Sequence, residues 1–214
     1  MTDTNQSPHF MNHLVTTIRR QPLPWLILGG LVTAVLFLLY LAPQEATLGT
    51  GIRTVYIHVA LTWTGMSGFV LAGVLGLAVL ATGNEKVAGW MAALGWVAYG
   101  FYVAGVAVSA VASRENWGGV FWREPRMAAA FSSLAIATIL MVFNTWLPSA
   151  RLRGLLQALI PAAVIWITLR APLVLHPRNP IFTSESFAIQ FAFVGLFLLC
   201  AGIAAWIVWR LISR

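Results

Sequence analysis

The chain has 214 residues, 59% of them hydrophobic and only 9% charged, with a mean hydropathy of +0.82; soluble domains carry about 25% charged residues, so a soluble class is excluded and an integral membrane protein is indicated. The net charge of +7 and pI near 10.8 do not mark a nucleic-acid binder, because the 13 basic residues are scattered through short polar segments and form no stripe. They read as topology signals. One cysteine, Cys200, lies in the last apolar run, which excludes an internal disulfide, a C-x-x-C redox pair and a C-x-x-C-H attachment site; it reads as an inert core or lipid-facing residue.

Residues 1–20 form a polar tail that contains His9 and His13, whose i, i+4 spacing has no third metal ligand beside it. Arg19-Arg20 before an apolar segment has the form of a signal peptide, yet Trp25 to Leu41 exceeds the usual apolar core of about 7–15 residues and more apolar runs follow, so an uncleaved first helix is expected. Crossing a hydrocarbon core of about 30 Å takes about 20 apolar residues in a helix. Six segments qualify: Pro24 to Leu41, Val55 to Ala81, Val87 to Ala112, Met127 to Leu147, Leu155 to Val174 and Phe187 to Ile212. No alternating barrel pattern appears, so residues 21–214 are expected to form one all-α domain of six transmembrane helices. Gly65, Gly68, Ala72 and Gly76 in the second run, with Gly100 and Ala104 in the third, form small-residue rows that predict a tight hairpin.

Alternate polar segments carry seven basic residues on one side (Arg19, Arg20, Lys86, Arg151, Arg153, Arg210, Arg214) and five on the other (Arg53, Arg114, Arg123, Arg126, Arg178). This bias places both termini in the cytoplasm. The same parity puts three elements on the outer face: His58 near the start of the second run, His176 after the fifth, and the aromatic stretch Asn116 to Met127.

An ionisable residue within a membrane segment is a functional candidate. His58, about one turn into its helix, is either a ligand or an interfacial histidine bonded to a neighbouring carbonyl. His176 precedes Pro177, which stops the helix, and taken alone it is an ordinary C-terminal cap. Together they are the only outward imidazoles, and two neutral imidazoles on opposite faces of a porphyrin would give a six-coordinate iron suited to carriage of haem b. Trp117, Phe121 and Trp122 offer flat rings beside Gly118 and Gly119, whose missing side chains permit close approach; Arg53, Arg114, Arg126 and Arg178 are candidate partners for haem propionates. The competing uses are an aromatic belt for the tryptophans, ion pairs of Glu124 with Arg123 or Arg126, and for Arg170 either snorkelling or a place in the cleft.

These residues resemble the haem exporter protein C (CcmC) family of cytochrome c maturation. That family carries W-G-x-x-W-x-W-D-x-R between helices three and four, flanked by one histidine near the start of helix two and another after helix five. Here Trp117-Gly118 opens the motif, Arg126 closes it, His58 stands in Tyr56-Ile57-His58-Val59, and His176-Pro177 matches the second site, so the likeness spans Val55 to about Pro180. Phe121 and Arg123 stand at the second and third tryptophans, Glu124 at the aspartate, and Trp122 is displaced by one position. The resemblance implies haem bound through His58 and His176 at the outer face of a bacterial inner membrane. It also implies delivery to a haem chaperone, with ABC transporter subunits and a small membrane subunit as neighbours. The other readings are a haem b electron-transfer anchor and an assembly or transport subunit without haem.

Overall fold

The computed structural model describes residues 22–174 and 184–213. They form α1 (Pro22–Leu41), α2 (Ile52–Thr82), α3 (Glu85–Trp117), α4 (Pro125–Trp146), α5 (Ala150–Arg170) and α6 (Phe187–Ile212). All six are long and apolar enough to cross a membrane, and no strand occurs among the described residues beyond an isolated bridge from Glu45 to Gly49. His176 and Arg178, with the tail histidines His9 and His13, lie outside the described residues.

The helix ends follow local chemistry. At the α2–α3 turn Gly83 takes a left-handed φ of 69° and its N–H donates to the Val79 carbonyl, after which the Asn84 side chain accepts from the Lys86 and Val87 amides. Glu124 caps α4 and Ser186 caps α6 in the same way. Three expected boundaries shift most. α3 runs past Ala112 to Trp117, because Ser113, Arg114, Glu115 and Asn116 are polar yet helix-compatible and at about 50 Å the helix outruns the hydrocarbon core. α5 begins at Ala150, five residues before Leu155, and stops at Arg170 because Pro172 disfavours helical backbone at Ala171.

α2 is the hub, packing on α3, α5 and α6; α1 docks mainly on α6, and α4 is held chiefly by α5. Small residues set these approaches. A Cβ on Gly65 would lie 2.6 Å from the Tyr102 amide nitrogen of α3, and one on Gly76 would lie 2.6 Å from the Gly154 carbonyl of α5. Gly73 accommodates the Pro161 ring of α5. Gly100 departs from expectation: nothing lies within 4 Å of its Cβ position, and it lines a shallow apolar groove of about 490 Å³ with Leu61, Trp96 and Leu211. The interhelical contact belongs to Gly105 instead, because α3 presents Ala98, Tyr102 and Gly105 to α2 on a face that Gly100 does not share.

Antiparallel pairing of α2 and α3 fixes which ends meet. The Asn116 side-chain amide donates to the Gly51 carbonyl at 3.2 Å and to Ala112 at 2.9 Å, so the start of α2 and the end of α3 share one end of the bundle. Tyr56 packs edge-on against Phe193 of α6 with centroids 4.6 Å apart, which brings the start of α6 to that end as well. Cys200 is buried in the same apolar cluster, as expected of an inert core residue.

At the opposite end the Arg153 guanidinium bonds the Leu147 and Pro148 carbonyls and pairs with Glu85 at 2.7 Å, tying α3, α4 and α5 together. Glu85 is largely exposed there, so the pair contributes no more than about 1 kcal/mol. Trp206 donates its indole N–H to the Pro24 carbonyl at 2.9 Å and stacks obliquely on Trp25, which anchors α1.

Candidate functional site at the His58 end of the bundle

His58 lies on the stripe of α2 that faces α3, partly buried, with Nδ1 2.9 Å from the Gly105 carbonyl oxygen of α3 and 3.4 Å from Thr62 Oγ1. A carbonyl only accepts, so Nδ1 carries the hydrogen and, in the neutral ring, the basic lone pair is on Nε2. This is the state a metal-ligating imidazole requires. It also realises the carbonyl-bonded alternative: the two uses engage different nitrogens of one ring and are compatible.

The aromatic stretch is divided between helix and loop. Arg114 and Trp117 fall in the last turn of α3, where a loop was expected, and the loop proper is 118–124. Gly118 closes the helix at φ 76°, its N–H donating to the Arg114 carbonyl at 3.0 Å. Arg114 itself is exposed, its charge favourable at a helix C-terminus. Replacing Gly118 by alanine is expected to cost about 1 kcal/mol, since any Cβ disfavours that backbone region even in open space; thermal unfolding in detergent measures it.

The loop is pinned from several sides. Ser113 Oγ donates to the Gly119 carbonyl at 2.8 Å, the Glu124 amide donates to the Phe121 carbonyl at 2.9 Å, and the Glu124 carboxylate accepts from the Met127 amide at 2.7 Å. Held this way, Trp117, Phe121 and Trp122 remain 40%, 46% and 60% exposed. Uncovered rings at a membrane surface serve equally as a ligand platform or as an interfacial belt. Trp122 packs against Phe131 of α4, centroids 5.5 Å apart, so it belongs to the α4 wall.

The arginines divide by what they already hold. Arg53 donates through one terminal nitrogen to the Tyr40 carbonyl at 2.9 Å and lies 5.9 Å from the Tyr40 ring, which ties it to the end of α1, while its buried Nε has no hydrogen-bond partner. Arg126, in the first turn of α4, has a buried Nε without a hydrogen-bond partner, an orphaned charged donor that fits a carboxylate. Arg170 closes α5 and stacks over Trp166 at 4.2 Å, an interfacial use. Beyond the loop, Glu45 accepts from the Leu48 and Thr47 amides, and these bonds hold its carboxyl below the usual carboxylate range.

Three residues that sequence reasoning passed over organise this end, Gly105, Thr62 and Ser113, together with Asn116, which was read only as the start of the aromatic stretch. Thr62 and Asn116 had a readable signal, since each is a polar residue on the helical face shared by Gly51, Thr54, His58 and Gly65 or opposite it. Gly105 acts through a backbone carbonyl, which no residue type announces. Of the expected haem-handling set, His58 offers a compatible imidazole, and Arg126 and Arg53 each hold a buried Nε without a hydrogen-bond partner. Compared with known proteins, the chain matches no family model and no curated sequence.

Proposed function

We propose that this protein binds haem b non-covalently at the His58 end of the bundle and passes it on during the assembly of c-type cytochromes. The observation that carries the reading is the His58–Gly105 hydrogen bond, which in the neutral ring puts the basic lone pair on Nε2. The orphaned Arg126 Nε and the exposed rings of Trp117, Phe121 and Trp122 support it, being suited to propionates and to a flat apolar macrocycle. Bound haem would supply a Lewis-acidic iron for the His58 and His176 imidazoles to hold, and Arg114 and Arg178 would add positive charge in the same polar segments.

The excess of basic residues on the other segments supports a bacterial inner membrane location with both termini cytoplasmic and this face outward. The partners of the reading are a haem chaperone, ABC transporter subunits and a small membrane subunit, within membrane lipid. A second reading, a haem-free assembly or transport subunit, draws on the same Gly105 bond, because it also serves α2–α3 packing. Transfer separates them. Haem-loaded protein mixed with a purified haem chaperone of cytochrome c maturation is expected to lose its absorption to the chaperone; a protein that retains haem behaves as an electron-transfer anchor, and one that never takes it up supports the second reading.

A further inference from the structure

The stripe Gly51, Thr54, His58, Thr62 and Gly65 faces α3, and the approach there is closer than any side chain allows. A Cβ on Gly105 would lie 2.4 Å from Thr62 Oγ1 and 2.7 Å from the Thr62 amide nitrogen; a Cβ on Gly65 would meet the Tyr102 backbone at 2.6 Å. Because both are absent, backbone meets backbone, and the Gly105 carbonyl comes within 2.9 Å of His58 Nδ1. Thr62 Oγ1, one turn along α2, is 3.4 Å from the same nitrogen, at the limit of a hydrogen bond.

We infer that Gly105 is a positioning residue for His58: its carbonyl fixes the Nδ1–H tautomer and the ring plane before any ligand arrives, so that Nε2 is the nitrogen presented for ligation. The ligation half rests on the haem reading above; the tautomer half rests on the α2–α3 geometry alone. A partner that holds a ligating imidazole this way also raises its basicity, and its loss typically weakens metal affinity about 10- to 100-fold. The contact is a backbone one, so the side chain at position 105 matters only by its absence.

The test uses the full chain in detergent, without haem, with ¹⁵N-labelled imidazoles; the four histidines give few signals, and His58→Ala assigns the one in question. At about pH 8, where an ordinary imidazole is neutral, wild-type His58 is expected to show a protonated Nδ1 and an unprotonated Nε2. The Nε2–H tautomer in wild type overturns the inference whether or not any variant folds. Gly105→Ala is expected to mix the tautomers and to weaken haem binding about 10- to 100-fold. Gly68→Ala, which disturbs the same hairpin at Ala98 about 15 Å along the helix, is expected to leave both unchanged. An equal effect of the two would mean that packing alone is responsible and would refute the assignment. Wild-type protein with the Nδ1–H tautomer that takes up no haem refutes the haem reading and leaves the positioning by Gly105 standing; haem uptake by a protein whose His58 carries Nε2–H does the reverse.

Discussion

Replacing His58 with alanine is expected to lower haem affinity by more than about a hundredfold, beyond the range reached by residues that merely support a ligand. Absorption titration of the purified, haem-supplemented variant measures it. The same substitution removes one interhelical hydrogen bond, to the Gly105 carbonyl, with a net stability cost of about 0.5–1.5 kcal/mol. Colour and fold therefore separate: the variant loses the haem spectrum while it still unfolds cooperatively, at a modestly lower temperature. If His58 served only α2–α3 packing, the same loss of stability would appear with no haem spectrum to lose.

Gly65→Ala and Gly76→Ala are expected to destabilise the bundle by about 1–3 kcal/mol each. The atoms in the way are backbone: the Tyr102 amide nitrogen and Cα within 2.8 Å for Gly65, and the Gly154 carbonyl at 2.6 Å for Gly76. Backbone cannot rotate aside as a flexible side chain would, so α2 must separate from α3 or α5. Membrane helices associate through such close packing, with little hydrophobic drive between them, and the lost contacts are not recovered elsewhere. Gly29→Ala and Gly89→Ala are the controls, since nothing lies within 4 Å of either Cβ position. Those two are expected to be neutral or slightly stabilising, as alanine is the better helix former. Unfolding in detergent, followed by circular dichroism, compares the four.

The number of helices was legible from apolar run length, and the pairing of α2 with α3 from Gly65 and Gly68, whereas Gly76 of the same row meets α5 instead. Boundaries were legible where a turn residue stops the helix, as at Gly83-Asn84, and illegible where a polar sequence continues the helix beyond the lipid, as from Ser113 to Trp117. Polarity marks the edge of the membrane, which is not the end of hydrogen bonding along the backbone. His58 stood out because an imidazole in an apolar run is costly without a partner. Its partner did not, because Gly105 contributes an oxygen that every residue has. Arg53 was readable as a cation near the site; that one of its nitrogens is tied to the end of α1 depends on the fold of the 42–51 connection, which places Tyr40 within reach.

In the proposed haem-bound state, His58 and His176, far apart in sequence, would both ligate the iron, so its ligand signature would report on both at once. Near-infrared magnetic circular dichroism of the haem-loaded full-length protein reads that ligand pair directly. The account predicts a bis-imidazole signature that is lost in both His58→Ala and His176→Ala; a histidine–water or histidine–methionine signature, or a protein that stays colourless after haem supplementation, would contradict it.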